Sequence, residues 1–191
     1  MREDTQKKRL VIAMTGASGS VLALELLHRL HACPDWETHF IMSRGAELTI
    51  EHELPGRKQE FVDLAGQVHD NCDIGAAIAS GSFRTAGMVV IPCSMKTAAG
   101  IHSGYSDNLI LRAADVTVKE GRTLVLVPRE TPLSPIHLRN LYELSMMGVA
   151  IIPPVMTFYN GSQTIGDMVG HLTGKILDRL GIQADYKRWR E

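Results

Sequence analysis

No stretch of the sequence approaches the roughly 20 consecutive apolar residues that a membrane-spanning helix needs. The start, Met1 to Arg9, is polar and charged, without the apolar centre of a secretory signal. Cysteine is scarce: Cys33, Cys72 and Cys93 are an odd number without framework spacing, which points to reduced thiols in the cytoplasm rather than disulfides. Excess charge of either sign is missing too. With 20 Lys and Arg against 21 Asp and Glu, the formal net charge is −1. No basic field therefore invites nucleic acid or an anionic membrane, and any anion site is local. Repeats, low-complexity tracts and a second domain are also absent. Metal-ligand spacing is lacking: His28 and His31 stand one helical turn apart, but among leucines and with no carboxylate or cysteine to complete a set.

What is present reads as one globular domain. The chain has 191 residues, 45% hydrophobic and 21% charged, enough for a full core. Five short, continuously apolar runs stand out: Leu10–Met14, Thr38–Met42, Met88–Ile91, Leu124–Val127 and Val149–Ile152. Strands buried on both faces of a parallel sheet have this form. Helical spacing lies between them. Leu22, Leu26, Leu27 and Leu30 share a face; Ser134–Pro135 open a helix through Leu138, Leu141 and Leu144 that stops at Gly148; Ile165, Met168, Val169, Leu172, Ile176 and Leu180 precede Gly181. The alternation predicts a Rossmann-like, doubly wound α/β fold. The expected layout is a polar extension over 1–8, a domain over 9–181 and a tail over 182–191. Glu53–Phe83 reads as a short helix and loops. Tyr186 and Trp189 on the polar tail predict that it docks on a pocket or a neighbouring subunit.

In open parallel sheets ligands bind beyond the carboxyl ends of the strands, so the chemistry is sought there. The first strand runs into Thr15-Gly16-Ala17-Ser18-Gly19-Ser20 and then a helix, which predicts free N–H groups and close backbone approach for an anion or a polar ring edge. Only two glycines occur where a nicotinamide fingerprint has three, and the second strand ends in Ser43 rather than an acid. A mononucleotide fits better than a dinucleotide. Pro92-Cys93-Ser94-Met95-Lys96-Thr97 forms a second polar cradle. Cys93 has no identifiable histidine partner and reads as a small buried thiol rather than a nucleophile. Pro128-Arg129-Glu130-Thr131-Pro132 offers a phosphate-binding fork beside a proton donor, or else an exposed ion pair. Pro153 to Tyr159 offers Phe158 and Tyr159 either as the wall of an apolar pocket or as core.

Taken in order, Met14-Thr15-Gly16-Ala17-Ser18-Gly19, Ser80-Gly81-Ser82-Phe83, Pro92 to Thr97, Arg112-Ala113-Ala114-Asp115, Lys119-Glu120, Pro128 to Pro132 and Phe158-Tyr159 closely resemble the flavin prenyltransferases, the UbiX-type proteins formerly described as hydroxyaryl acid decarboxylase subunits. The likeness runs from about Arg9 to Gly181. It implies an FMN protein, typically a homododecamer, that joins a dimethylallyl group from dimethylallyl monophosphate to reduced FMN at N5 and then C6. The prenylated FMN would serve a separate UbiD-type decarboxylase. No metal is implied, in keeping with the missing aspartate-rich magnesium motif.

The same resemblance implies FMN contacts at Gly16, Ala17, Ser18, Ser43, Ser94, Met95, Lys96, Thr97 and Arg129. It implies a prenyl-phosphate site of Lys119, Arg129, Glu130, Tyr159 and Lys175, with Arg112 and Glu53 nearby and Trp189 covering the pocket. Catalytic roles fall to Ser18 at the N5 proton, Lys119 as a cation and Glu130 as a general acid, provided that neighbours and burial raise its pKa. Lys175 stands where many relatives have Arg, keeping the charge but losing the bidentate fork. Competing readings are an FMN-dependent cysteine decarboxylase, whose catalytic His and Asn-containing clamp have no convincing counterpart, a non-catalytic FMN carrier, and a direct aromatic acid decarboxylase.

Overall fold

The computed structural model describes residues 7–188. Six strands form one parallel sheet: β1 (Lys8–Met14), β2 (Trp36–Met42), β3 (Gln67–Asp70), β4 (Gly87–Cys93), β5 (Thr123–Pro128) and β6 (Ala150–Ile151). Seven helices connect or flank them: α1 (Ser20–His31), α2 (Arg44–Glu53), α3 (Lys58–Leu64), α4 (Met95–His102), α5 (Leu109–Lys119), α6 (Pro135–Met146) and α7 (Ile165–Arg179). The strand order β3-β2-β1-β4-β5-β6 reverses direction between β1 and β4. That reversal leaves a crevice beyond the strand ends where loops diverge to opposite faces.

Alternation along the strands divides the core in two. Leu10, Ile12 and Met14 face α1 and α7, packing with Leu26, Leu30, Leu172, Ile176, Phe40 and Phe61. Val11 and Ala13 face the other way, onto Ala98, Ile110, Ala113, Ala114 and Leu144 of α4, α5 and α6. With a buried helix layer on each face, the central strands have no solvent side, and their continuous apolar runs follow.

The sixth strand corrects the sequence reading. The segment Glu53–Phe83 contains α3 as expected of a short helix, but also β3, whose Gln67-Val68-His69-Asp70 is mostly exposed at the sheet edge. An edge strand pairs on one side only and needs no apolar run. Helix ends agree closely: Ser134 caps α6 in a box with His137, Pro135 stands at its first turn, and Gly148 and Gly181 adopt φ of 86° and 70° just past α6 and α7. The apolar face of α6 does not agree. Leu144 is buried, whereas Leu138, Ile136 and Tyr142 are exposed. Among the described residues no helix is long and apolar enough to cross a membrane.

Candidate functional site

The loops at the carboxyl edge are stitched one to the next. Ser43 N–H donates to the Met14 carbonyl at 3.0 Å. Thr15 Oγ1 donates to the Pro92 carbonyl at 2.9 Å and accepts from Ser94 N–H at 2.7 Å. Arg129 N–H donates to the Cys93 carbonyl at 3.2 Å. The ends of β1, β2, β4 and β5 therefore form one preorganised rim.

Within that rim lies a cavity of about 400 Å³ lined by Thr15, Gly16, Ser43, Arg44, Asn71, Lys96 and Thr97, among others. Three helices point their amino ends at it. Ser43 caps α2 by accepting from Ala46 N–H, Ser94 caps α4 by accepting from Thr97 N–H, and Asn108 caps α5 by accepting from Leu111 N–H. On α2 and α4 the cap satisfies one orphan N–H and leaves the other first-turn donors and the positive dipole end facing the cavity. On α5, Asn71 completes the cap: its backbone carbonyl accepts from Leu109 N–H and its Oδ1 from Ile110 N–H. Gly16 and Gly45 bring two loops into backbone contact, so a Cβ built on Gly16 would lie 3.0 Å from Gly45 Cα. Hydroxyls, two cations and converging helix ends around the cavity suit a phosphorylated mononucleotide.

The α1 end departs from the sequence reading. Its N-terminal donors are not free for a ligand: Glu53 accepts from Gly19 N–H at 3.0 Å and from Ser20 N–H at 2.7 Å. Gly19, with φ of 119°, has no side chain to cap the helix, and a carboxylate from the far end of α2 does so instead. Burial works against the Glu53 charge, yet hydrogen bonds from the Ser18 hydroxyl and the Ser20 and Gly19 N–H groups hold its carboxyl below the usual range. Glu53 is thus an anion beside Ser18, aligned with the helix dipole.

The remaining sequence-predicted residues fall into distinct places. Gly16, Ser43, Ser94, Lys96 and Thr97 line the cavity. Ala17 is buried, and the Met95 side chain turns into the core, leaving its backbone at the α4 start. Arg129 and Glu130 follow β5 directly on the same rim and are exposed. Tyr159 stands edge-on to His171 of α7, 6.5 Å between ring centroids, and Lys175 lies one turn beyond on that helix. Arg112 is paired with Asp115 at 2.6 Å and donates to the Ala79 carbonyl. Lys119 is paired with Glu120 at 2.5 Å, against Gly81. Trp189 lies outside the described residues. Sequence reading missed Arg44, Gly45, Asn71 and Asn108; of these only Asn108, as a capping residue before an apolar helix, carried a local signal.

The tail through Arg188 docks on its own α7. Tyr186 sits against Gly174, where an added Cβ would lie 2.3 Å from the ring, and its hydroxyl donates to Asp178, which Arg188 also grips. The histidines of α1 bind protein groups: His28 Nε2 is 2.9 Å from Glu60 and His31 Nδ1 is 3.1 Å from the Leu64 carbonyl.

Cys93 is fully buried, and burial pushes its thiol up to about 12. Only about one molecule in ten thousand would carry the thiolate near pH 8. Iodoacetamide is therefore expected to modify exposed Cys72 and spare Cys93 in the native protein. Peptide mass mapping checks this; fast alkylation of Cys93 would restore it as a nucleophile.

The family model for flavoproteins matches residues 1–177. The flavin prenyltransferase LpdB of Lactiplantibacillus plantarum is 52% identical over 183 residues, covering 95% of this chain and 98% of that one. A crystal structure of a dodecameric FMN-dependent UbiX-like decarboxylase from Escherichia coli O157:H7 superposes with a TM-score of 0.94 at 51% identity, covering 96% of this chain and all of that one. The structure of AnUbiX (PadA1) in complex with FMN and dimethylallyl pyrophosphate also gives 0.94, at 47% identity, covering 97% and 98%.

Proposed function

The chain belongs to the UbiX-like flavin prenyltransferases, and on that premise we propose that it joins a dimethylallyl group from dimethylallyl monophosphate to FMN in the cavity at the β1–β4 reversal. Reduced FMN would supply the nucleophilic N5 and C6: the donor C–O bond would break and phosphate leave as a C–N bond replaces N5–H, and the alkene would then take up a proton as a C–C bond forms at C6, which gives its own proton up. The observation that carries the placement is the cavity itself, with three capped helix ends, Ser43, Ser94 and Thr97, and the Gly16–Gly45 close approach.

This chain's residues then divide the work. Ser43, Ser94, Thr97, Lys96 and Arg44 hold the flavin and its phosphate. Ser18, bonded to the Glu53 carboxylate, is placed to take or return a proton at the flavin edge. Arg129 and Lys175 meet the negative charge that accumulates on the leaving phosphate, Tyr159 donates to it, and Glu130 protonates it.

Lys119 belongs to the same set only through a second copy. It ends α5 just before β5 begins at Thr123, whereas Arg129 follows the other end of β5. Six residues of strand span roughly 20 Å, so one chain's Lys119 and Arg129 lie at opposite edges of its sheet. Exposed Ile136, Tyr142 and Met146 on α6, with Val155, Met156 and Phe158 ahead of Tyr159, provide apolar surface for such an assembly. A dodecamer like that of the Escherichia coli neighbour fits this arrangement.

The product, a modified cofactor, would pass to a UbiD-type decarboxylase in the cytoplasm, where Cys72 stays reduced. Anaerobic incubation with reduced FMN and dimethylallyl monophosphate, then mass analysis of the extracted flavin, tests the reading. The flavin is expected to gain one five-carbon prenyl unit. Unmodified flavin with both monophosphate and diphosphate donors would leave a flavin carrier.

A further inference from the structure

Away from the cavity, on the seam between β2 and β3, two imidazoles share one hydrogen bond. His39 is fully buried, and its Nδ1 lies 2.9 Å from Nε2 of His69 on the edge strand. The rings stack with centroids 5.2 Å apart, and Phe83 meets His39 edge-on at the same separation. A single proton fits between the two nitrogens. Their surroundings settle which ring carries it. The other nitrogen of His39, Nε2, is buried without a hydrogen-bond partner and stands 3.7 Å from the Glu37 carboxylate. A bare lone pair there would face an anion, whereas an N–H is attracted to it. His39 is therefore protonated on Nε2, and His69 Nε2–H donates to His39 Nδ1. Arg9 closes the row, 3.3 Å from Glu37 and with its guanidinium 4.4 Å over the Phe83 ring. Among the described residues, Arg9 on β1, Glu37 on β2 and Asp73 beyond β3 are the charged groups that act on the pair.

We propose that the His39–His69 pair is a proton-operated latch that holds β3, and through β3 one wall of the flavin cavity. In the neutral pair one nitrogen donates and one accepts. If both rings are charged, two N–H groups and two cations meet at a distance that suits neither. β3 has only four residues and pairs with β2 alone, so it has few other contacts to hold it. Directly after it, Asn71 caps α5 and lines the cavity; freeing β3 frees that wall. This coupling to flavin rests on the cavity assignment made above.

Burial, and for His39 the neighbouring His69, lower both imidazoles from their ordinary value, Glu37 and Asp73 acting in the opposite sense. The unfolded or unlatched chain thus binds more protons than the latched one. Stability from the pair is present in full above the ordinary histidine value and is lost as the pH falls from there through the lowered ones.

Amide hydrogen exchange of β3, corrected for the intrinsic rate, tests this in the full protein and in His69→Gln, whose side-chain amide donates to His39 at any pH. In the unaltered protein β3 amides are expected to exchange about tenfold faster near pH 5.5 than near pH 7.5, and FMN affinity to weaken in parallel. In His69→Gln both changes should shrink below about twofold. The same pH response in both proteins overturns the latch. Imidazole nitrogen shifts of the unaltered protein need no variant: a protonated Nε2 on His69 and a bare Nδ1 on His39 are expected, and the reverse tautomer or independent titration of the two rings overturns it. Protein that bound no FMN at any pH would remove the cavity assignment and leave β3 exchange to decide the latch.

Discussion

Lys119→Ala should lose about two to three orders of magnitude in prenyl-transfer rate while retaining FMN, and so should Glu130→Gln. Mixed together and reassembled, the two dead proteins should recover activity. The reason is the position of Lys119 at the amino edge of the sheet and of Glu130 at the carboxyl edge. A phosphate site that needs both is built from two copies, so a mixed assembly contains some sites with neither substitution. Random assortment makes these about a quarter of the total, and the recovered rate should approach that share of the unaltered enzyme. Lys119 is exposed and pairs only locally with Glu120, so its loss should leave the fold intact; unchanged thermal unfolding is the control. No recovery in mixtures whose exchange is verified by mass would place the two residues in separate functions. Full prenyl-transfer activity of Lys119→Ala would remove Lys119 from the phosphate site.

Much of this arrangement was legible in the sequence, for a physical reason. The central residues of β1, β2, β4 and β5 are buried on both faces, so they had to be largely apolar, and whatever polar residues followed these strands had to lie at the crevice. Ser43, Ser94 and Thr97 were found in that way. β3 escaped because Gln67-Val68-His69-Asp70 pairs on one side and faces solvent on the other. Asn71 escaped with it, since its role depends on α5, 38 residues further along. Glu53 was placed near the site only through the family likeness; that it caps α1, 34 residues earlier, is a contact no local pattern announces. Lys119 is a different case. The family likeness set it beside Glu130, yet a strand's length separates them in one chain, and the sequence carried no information about which copy supplies which charge. The tail's grip on α7 was likewise only half legible: Tyr186 signalled docking, but its seat at Gly174 did not.

Gly16→Ala should weaken FMN binding by about ten- to a hundredfold and lower thermal stability with it. Neither Gly16 nor Gly45 adopts a left-handed backbone, so strain in φ is not the cause. What matters is approach. A Cβ on Gly16 would lie 3.0 Å from Gly45 Cα, 3.1 Å from its carbonyl carbon and 3.3 Å from its oxygen, all backbone atoms that cannot rotate away. The β1 and β2 loops must separate by several tenths of an ångström, and overpacking of this kind costs about 1–3 kcal/mol. The rim resists that separation, because Ser43 N–H is bonded to the Met14 carbonyl and Thr15 to both Pro92 and Ser94. The displacement therefore passes to the Ser43 and Arg44 side of the cavity, where the flavin is held. A loss of 1.4 kcal/mol is tenfold in affinity, which sets the expected range. Gly45→Ala should behave alike, its Cβ 3.1 Å from Gly16 Cα, whereas Gly75→Ala, whose Cβ meets only a side-chain oxygen at 3.4 Å, should leave FMN affinity unchanged. Fluorescence titration of FMN against the three variants separates them: equal affinity in all three would show that the β1–β2 contact does not shape the flavin site.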